Sequence, residues 1–278
     1  MYIGSKIFMI FKIQLYFFNI IFRLFKVGYP FGIMKWANKD VYKKLFENIK
    51  YEKYPDIDNF EKKLRFKIDS NFLNDLALET QIVIKKSKLN FQHGRVLYSL
   101  ISEMISKTEF KNKFNILETG TARGFSTICM SKALLDQNQK GSIDTIDILP
   151  HYKKIIWNCI LDHEGMKSRN SILGKWKNEL NLINFYHGTS RNIFKKLIKS
   201  RYHFCFLDSS HKYSDVKLEY DWIKLRQETN DIIVLDDYTP YVFDGVVKLV
   251  EDIKKENIYN LEILYSTKDR GYAILQKK

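Results

Sequence analysis

From residue 114 onward, short apolar runs that end on polar or acidic residues alternate with stretches whose apolar residues recur every three or four positions. The runs predict strands over 114–118, 142–147, 182–187, 203–208, 232–236, 262–265 and 272–276. The intervening periodic stretches predict helices over 126–137, 151–164, 190–200, 214–228 and 244–256. Alternation at this spacing means an α/β protein built on a doubly wound, largely parallel sheet. The last two runs are joined by a short turn at Lys268-Asp-Arg-Gly271 with no room for a helix, so one of them runs antiparallel. Residues 39–110 read as helical throughout, with helix-spaced apolar residues over 74–89 and 93–108. Lys-Lys pairs such as 85–86 read as solvated helix faces.

Several strands end in acids: Glu118, Asp147, Asp208, and Asp236 with Asp237. In an open α/β sheet, ligands bind outside the carboxyl ends of the strands, so these carboxylates converge on one rim. The segment Asn115-Ile-Leu-Glu118-Thr-Gly120-Thr-Ala-Arg-Gly124-Phe-Ser126 turns from the first strand into a helix on two glycines. Glycine accepts the backbone angles such a turn needs, and a ligand can approach bare backbone there. The helix start adds unpaired N–H groups. The spacing is Gly-x-x-x-Gly rather than the dinucleotide Gly-x-Gly-x-x-Gly, which argues for a nucleoside ligand without a pyrophosphate and against an NAD-dependent oxidoreductase. Asp147, closing the second strand, suits a ribose hydroxyl, or else caps a helix starting near Pro150. Ser190, after the third strand, either meets the adenine edge or N-caps the next helix.

Composition narrows the partners. The chain has 278 residues, 45% of them hydrophobic, and a net charge of +14. The lysines are scattered singly and in pairs, which speaks against a nucleic-acid partner and for a solvated, lysine-rich surface. Cys129, Cys159 and Cys205 are odd in number and lack Cys-x-x-Cys spacing, which argues against a disulfide framework or structural zinc and for a reducing, cytoplasmic compartment. Residues 7–25 are dense in Ile, Phe and Leu but carry Lys12, Gln14, Asn19 and Arg23. A spanning helix wants about 20 mostly apolar residues. The segment instead fits a helix lying in the membrane interface at the inner face, packing on a partner subunit of a homo-oligomer, or packing on the protein's own core. A translation start at Met34 is a further alternative. The organisation expected is a hydrophobic, basic segment over 1–30, a helical extension over 31–110, and the sheet domain over 111–278.

A second acidic group lies in Phe206-Leu207-Asp208-Ser-Ser-His211 and Val234-Leu235-Asp236-Asp237-Tyr238. Three carboxylates from neighbouring strand ends repel one another unless a cation or protons intervene. An all-oxygen donor set suits Mg²⁺, Mn²⁺ or Ca²⁺. His211, three residues beyond Asp208, places an imidazole beside such a cation as a general base; the alternative is a surface Asp-Asp turn with His211 capping a helix that starts near Ser214.

ILETGTARGFST resembles motif I of class I S-adenosylmethionine-dependent methyltransferases. FLDSSHKYSDVKLEYDW, IIVLDDY and GYAILQKK together resemble the metal-dependent O-methyltransferases related to the catechol type, which include macrolide sugar O-methyltransferases. The likeness covers residues 90–278 and implies a Rossmann-like seven-stranded sheet with an antiparallel last strand. It implies that Asp208, Asp236 and Asp237 bind Mg²⁺ and that His211 is the base. It further implies that Glu118, Gly120, Gly124 and Ser126 line the S-adenosylmethionine site and that Asp147 holds the ribose. The family's Leu-Asp-Gly turn reads Leu207-Asp208-Ser209 here, a departure beside His211. The expected activity is methyl transfer to a hydroxyl of a sugar or glycan. The alternatives are another small-molecule diol, nucleic acid, or a non-catalytic S-adenosylmethionine-binding protein at a membrane.

Overall fold

The computed structural model describes residues 35–107, 113–268 and 270–278; residues 7–25 lie outside these. Seven strands form one sheet in the order β3-β2-β1-β4-β5-β7-β6. They are β1 (Phe114–Thr119), β2 (Gly141–Asp147), β3 (Ile183–His187), β4 (Phe204–Leu207), β5 (Ile232–Tyr238), β6 (Tyr259–Thr267) and β7 (Arg270–Lys277). Strands β1 to β5 pair in parallel, and β7 inserts antiparallel between β5 and β6. The expected doubly wound sheet with an antiparallel last strand is thus present.

Side chains alternate across the sheet and are buried on both faces. Ile116, Ile143, Phe204, Phe206 and Val234 face one core. Leu117, Ile146, Cys205, Leu207, Ile233 and Leu235 face the other. Burial on both faces is why these strands read as continuous apolar runs. The first core is closed by four helices from the N-terminal region, α1 (Lys39–Lys50), α2 (Pro55–Leu64), α3 (Ser70–Thr80) and α4 (His93–Lys107), together with α5 (Phe125–Asp136). The short α6 (Arg169–Ile172) and α7 (Lys177–Leu180) follow β2. The second core is closed by α8 (Ser190–Ile193), α9 (Tyr213–Lys224) and α10 (Asp244–Glu256). All three cysteines are buried and unpaired. Among the described residues, no helix is long and apolar enough to cross a membrane.

Three helix expectations fail. The helix expected over 74–89 stops at Thr80, where the β-branched run Ile82-Val83-Ile84 disfavours helix. Both backbone groups of Ile84 are taken by Asn158: the Ile84 N–H donates to Oδ1 (3.1 Å) and Nδ2 donates to the Ile84 carbonyl (2.9 Å). Residues 151–164 form an irregular loop ending in a 3₁₀ turn, Ile160–Glu164. There Asp162 accepts from the backbone of Trp157 and Cys159, and Asn158 sits at φ 55°. The helix expected over 190–200 is a single turn, after which Phe194 stacks on Trp222 at 4.3 Å.

The segment 81–92 therefore crosses the carboxyl rim as a roof. Asn158, beyond β2, holds it at Ile84, and Asn90 donates from Nδ2 to Ser266 of β6 at 2.9 Å. At its far end α4 begins at His93, whose ring packs against Phe125 and Phe206 at 4.9 and 6.1 Å. Gly94 beside it is required because a Cβ would meet Phe125 and Cys129 at 2.7–2.8 Å. Arg95 turns away from the rim and pairs with Asp58 and Glu61 of α2.

Asn158 also accepts from the Tyr42 hydroxyl of α1 at 3.2 Å. Asn158→Ala removes three hydrogen bonds and orphans the Ile84 backbone, so chemical denaturation should show a loss of about 2–3 kcal/mol. Burial drives the His93 imidazole pKa down to about 4, against the opposing pull of Asp236; Arg270 and Lys85 push the same way as burial. The unfolded chain then binds the extra proton between about pH 6.5 and pH 4, so this contribution to stability is complete above 6.5 and lost as the pH falls to 4. Thermal melts of wild type and His93→Phe across that window should diverge by up to about 3 kcal/mol, the variant having the shallower acid loss.

Candidate active site

The glycine turn after β1 is built by close packing. Gly120 sits at φ +94°, and a Cβ there would meet the Asp208 carbonyl oxygen at 2.1 Å, so only glycine lets the ends of β1 and β4 touch. Gly124, at φ +91°, caps α5 against Leu173 with no side-chain capping bond. Between them the Ala122 N–H donates to Asp147 Oδ2 at 2.5 Å, and Arg123 donates from Nε to the Trp157 carbonyl at 2.7 Å.

Glu118 is fully buried at the end of β1 and accepts from the hydroxyls of Ser126, Thr127 and Thr145. Burial pushes its carboxyl pKa up, and the three hydroxyls pull against that shift. Ser126, expected along the cofactor, gives its hydroxyl to Glu118, so both residues tie α5 to β1 and β2. Asp147 also accepts the Leu149 N–H at 2.7 Å and pairs with buried Arg169 at 3.1 Å. Arg169 in turn donates to the Ala122 carbonyl at 2.7 Å. Asp147 thus clamps the glycine turn to the loop after β2; no helix begins at Pro150 for it to cap.

A second buried carboxylate, Glu219 of α9, repeats the arrangement. It accepts from Thr119 at 2.8 Å, from Ser209 at 2.6 Å and from Ser190. The cap of α8 is Thr189, so Ser190 is not the N-cap, and its hydroxyl serves Glu219. Ser209, the departure from the family's glycine, has the same use. Nothing in local sequence marked Glu219, which lies among helix-spaced residues of α9. Gly120, Asp147, Ser190, Ser209 and Glu219 line a cavity of ≈ 510 Å³ above the ends of β1 to β4. That is within the ~300–1,000 Å³ of small-molecule sites.

Next to this cavity, Asp208, Asp236 and Asp237 come together, with one carboxylate oxygen from each within 4.8 Å of the others. Asp237 holds φ 56°, which turns consecutive carboxylates toward one place. Arg270, at the start of β7, donates to Asp236 Oδ2 at 2.8 Å and lies 3.2 Å from Asp237 Oδ1. Burial and then the charges of Asp236 and Asp237 raise the Asp208 carboxyl pKa well above its ordinary range. Burial raises Asp237 as well, with Asp236 adding to it. Asp236 is pushed up by burial, but Arg270, helped by His93 and the Asp237 amide, brings it below the usual value.

His211 Nε2 is 3.6 Å from Asp237 Oδ2, and its ring lies 3.9 Å from that of Phe243. Gly245 makes this possible, because a Cβ there would meet the His211 carbonyl at 2.2 Å. The four residues expected at the acidic centre are therefore brought together. Sequence reasoning passed over Arg270, seen only as part of a turn, and Lys85, taken for a helix face. Lys85 is on the roof segment, where burial lowers its pKa and the fields of Asp237, Asp236 and Asp208 oppose that shift.

The donor set fits a hard divalent cation. It is all oxygen, Asp208 accepts no hydrogen bond from another described residue, and Asp237 Oδ2 lies 3.6 Å from His211 Nε2. His93 Nδ1, close enough to Asp236 for their charges to interact, is buried without a protein partner and can meet a water of a hydrated ion.

Residues 117–238, from β1 to β5, match the family model for a methyltransferase domain. The chain matches no curated protein sequence. Among solved structures, cofactor-bound Rv0187 from MTB superposes with a TM-score of 0.54 at 16% identity, covering 81% of this chain and 98% of that one. The O-methyltransferase TomG of Streptomyces achromogenes, involved in tomaymycin synthesis and solved with SAM, gives 0.51 at 17% identity, covering 79% and 94%. The O-methyltransferase from Bacillus cereus in complex with SAH gives 0.51 at 14% identity, covering 84% and 96%. At these identities the likeness is one of fold. Residues 117–238 are thus similar to a methyltransferase domain, set in a sheet whose fold is shared with these solved structures.

Proposed function

We propose that the protein is an O-methyltransferase that moves a methyl group from S-adenosylmethionine to a hydroxyl of a sugar or glycan, with a divalent cation, Mg²⁺, at Asp208, Asp236 and Asp237. One observation carries this reading: the acidic cluster, with His211 3.6 Å from Asp237, adjoins the nucleoside-sized cavity across Gly120 and Ser209. The resemblance to TomG and to the Bacillus cereus enzyme, both O-methyltransferases by name, points the same way.

S-adenosylmethionine supplies an electrophilic methyl group on sulfur. A divalent cation held by Asp208, Asp236 and Asp237 would supply positive charge that lowers the pKa of an acceptor hydroxyl. The chain's own residues do the rest. Asp147 presents its carboxylate to the nucleoside side of the cavity, and the Gly120 and Gly124 turn gives it bare backbone. Glu118 and Glu219, locked by hydroxyls, keep that turn rigid, which is what positioning requires. His211 Nε2 takes the acceptor's proton, while Asp237 beside it stabilises the imidazolium that results. A second reading rests on Arg270. Its guanidinium already neutralises Asp236 and Asp237, so transfer could proceed on a cluster held by Arg270 without a divalent cation.

His211→Ala and Asp237→Ala should each lower methyl transfer from labelled S-adenosylmethionine into cell-envelope glycan fractions by about 10²-fold or more, with S-adenosylhomocysteine binding retained. Unchanged rates in both would sink the assignment. EDTA should abolish transfer and Mg²⁺ restore it, whereas transfer indifferent to EDTA selects the Arg270 reading. Asp147→Ala should weaken S-adenosylhomocysteine binding in calorimetry by about tenfold, the loss of one or two hydrogen bonds to a ligand.

A further inference from the structure

On the outer side of the roof lies a second, larger concavity. The apolar face of α1 (Val41, Leu45, Ile49) stands opposite Val83, Ile84 and Leu89 of the roof and encloses ≈ 690 Å³. Its lining is mainly hydrocarbon, unlike the polar cavity over β1 to β4. Lys85 belongs both to this groove and to the surroundings of Asp208, Asp236 and Asp237. Geometry ties the two as well: groove residue Leu89 adjoins Asn90, which donates to Ser266, and Ser266 donates at 3.1 Å to the carbonyl of Arg270, the partner of Asp236. The strand order puts the polar cavity over β3, β2, β1 and β4, with the cluster at the ends of β4 and β5. The roof runs on from there to Ser266 of β6. An acceptor that brings a hydroxyl to the cluster thus has the donor cavity on one side and the apolar groove on the other.

Resting on the O-methyltransferase reading, we infer that the acceptor is an amphiphile, a hydroxyl-bearing sugar head carried on a hydrocarbon body, and that the groove between α1 and residues 83–89 holds the hydrocarbon. Burial of the body positions the head, so binding strength comes from the groove and chemistry from the rim. Lys85 lines this groove and feels the charges of the acidic cluster. A purely polar glycan would leave the wall of Val41, Leu45 and Ile84 wet.

The test titrates the full chain, preloaded with S-adenosylhomocysteine, with butyl, hexyl and octyl β-glucoside below their micelle concentrations. Affinity should rise by up to about fourfold per methylene buried, equivalent to ~0.8 kcal/mol each. Val41 and Tyr51 are 42% and 75% exposed, so Val41→Asp and Tyr51→Asp leave the core intact. Both should flatten the chain-length dependence while S-adenosylhomocysteine binding stays unchanged. Affinity independent of alkyl length in wild type, or an identical rise in both variants, overturns the groove assignment. S-adenosylhomocysteine binding in the same titration separates the two readings. If it is absent, the methyltransferase reading falls; if it is present with a flat alkyl series, only the groove falls.

Discussion

Three carboxylates crowded onto the ends of two neighbouring strands are the constraint around which this molecule is arranged. Adjacent strands lie about 4.8 Å apart, so acids at the carboxyl ends of β4 and β5 have no way to avoid one another. Their repulsion has to be answered by positive charge. The chain answers with Arg270, and the sheet topology explains how. Because β7 runs antiparallel to β5, its first residue lies at the same rim where β5 ends, with Gly271 opposite Tyr238. A parallel last strand would have put Arg270 at the opposite edge. Lys85 arrives from the other direction, on a roof whose ends are tied to Asn158 and Ser266.

The nucleoside side depends on a different device. Glu118 and Glu219 are buried carboxylates, each satisfied by three hydroxyls rather than by a cation. An unpaired buried charge is costly, and hydrogen bonds from neutral donors reduce that cost while adding no net charge. The two knots join β1, β2, α5, α8 and α9 at the point where Gly120 lets β1 touch the Asp208 carbonyl. The polar cavity and the acidic cluster are therefore parts of one rigid rim: movement of the β1 turn would displace Asp208.

Much of the rim was legible because its chemistry sits at strand ends, and strand ends are visible as apolar runs that stop at an acid. Asp208, Asp236, Asp237 and His211 were found that way, and they meet. The failures share one cause. Residues 81–92 carry helix-spaced apolar residues but fold as an extended roof, because Asn158, 74 positions away, captures the Ile84 backbone. No local pattern contains that partner. The loop over 151–164 likewise depends on Asp162 binding backbone amides, and Arg123 reaching Trp157, rather than on periodicity. Ser126 and Ser190 lie beside the expected site, yet their hydroxyls are committed to carboxylates inside the protein.

By itself the sequence determined the parallel sheet with one reversed strand, the glycine turn and the acids along one rim. Those follow from hydrophobic period, turn chemistry and the short 268–271 connection, all of which act over a few residues. Only the tertiary structure decided which cation answers the acids, which hydroxyls lock Glu118 and Glu219, and that Lys85 belongs to the rim. It also decided that α1 and the roof enclose an apolar groove beside it. These are contacts between residues far apart in the chain, set by strand order and by burial, and long-range pairing leaves no periodic trace in the segments that make it.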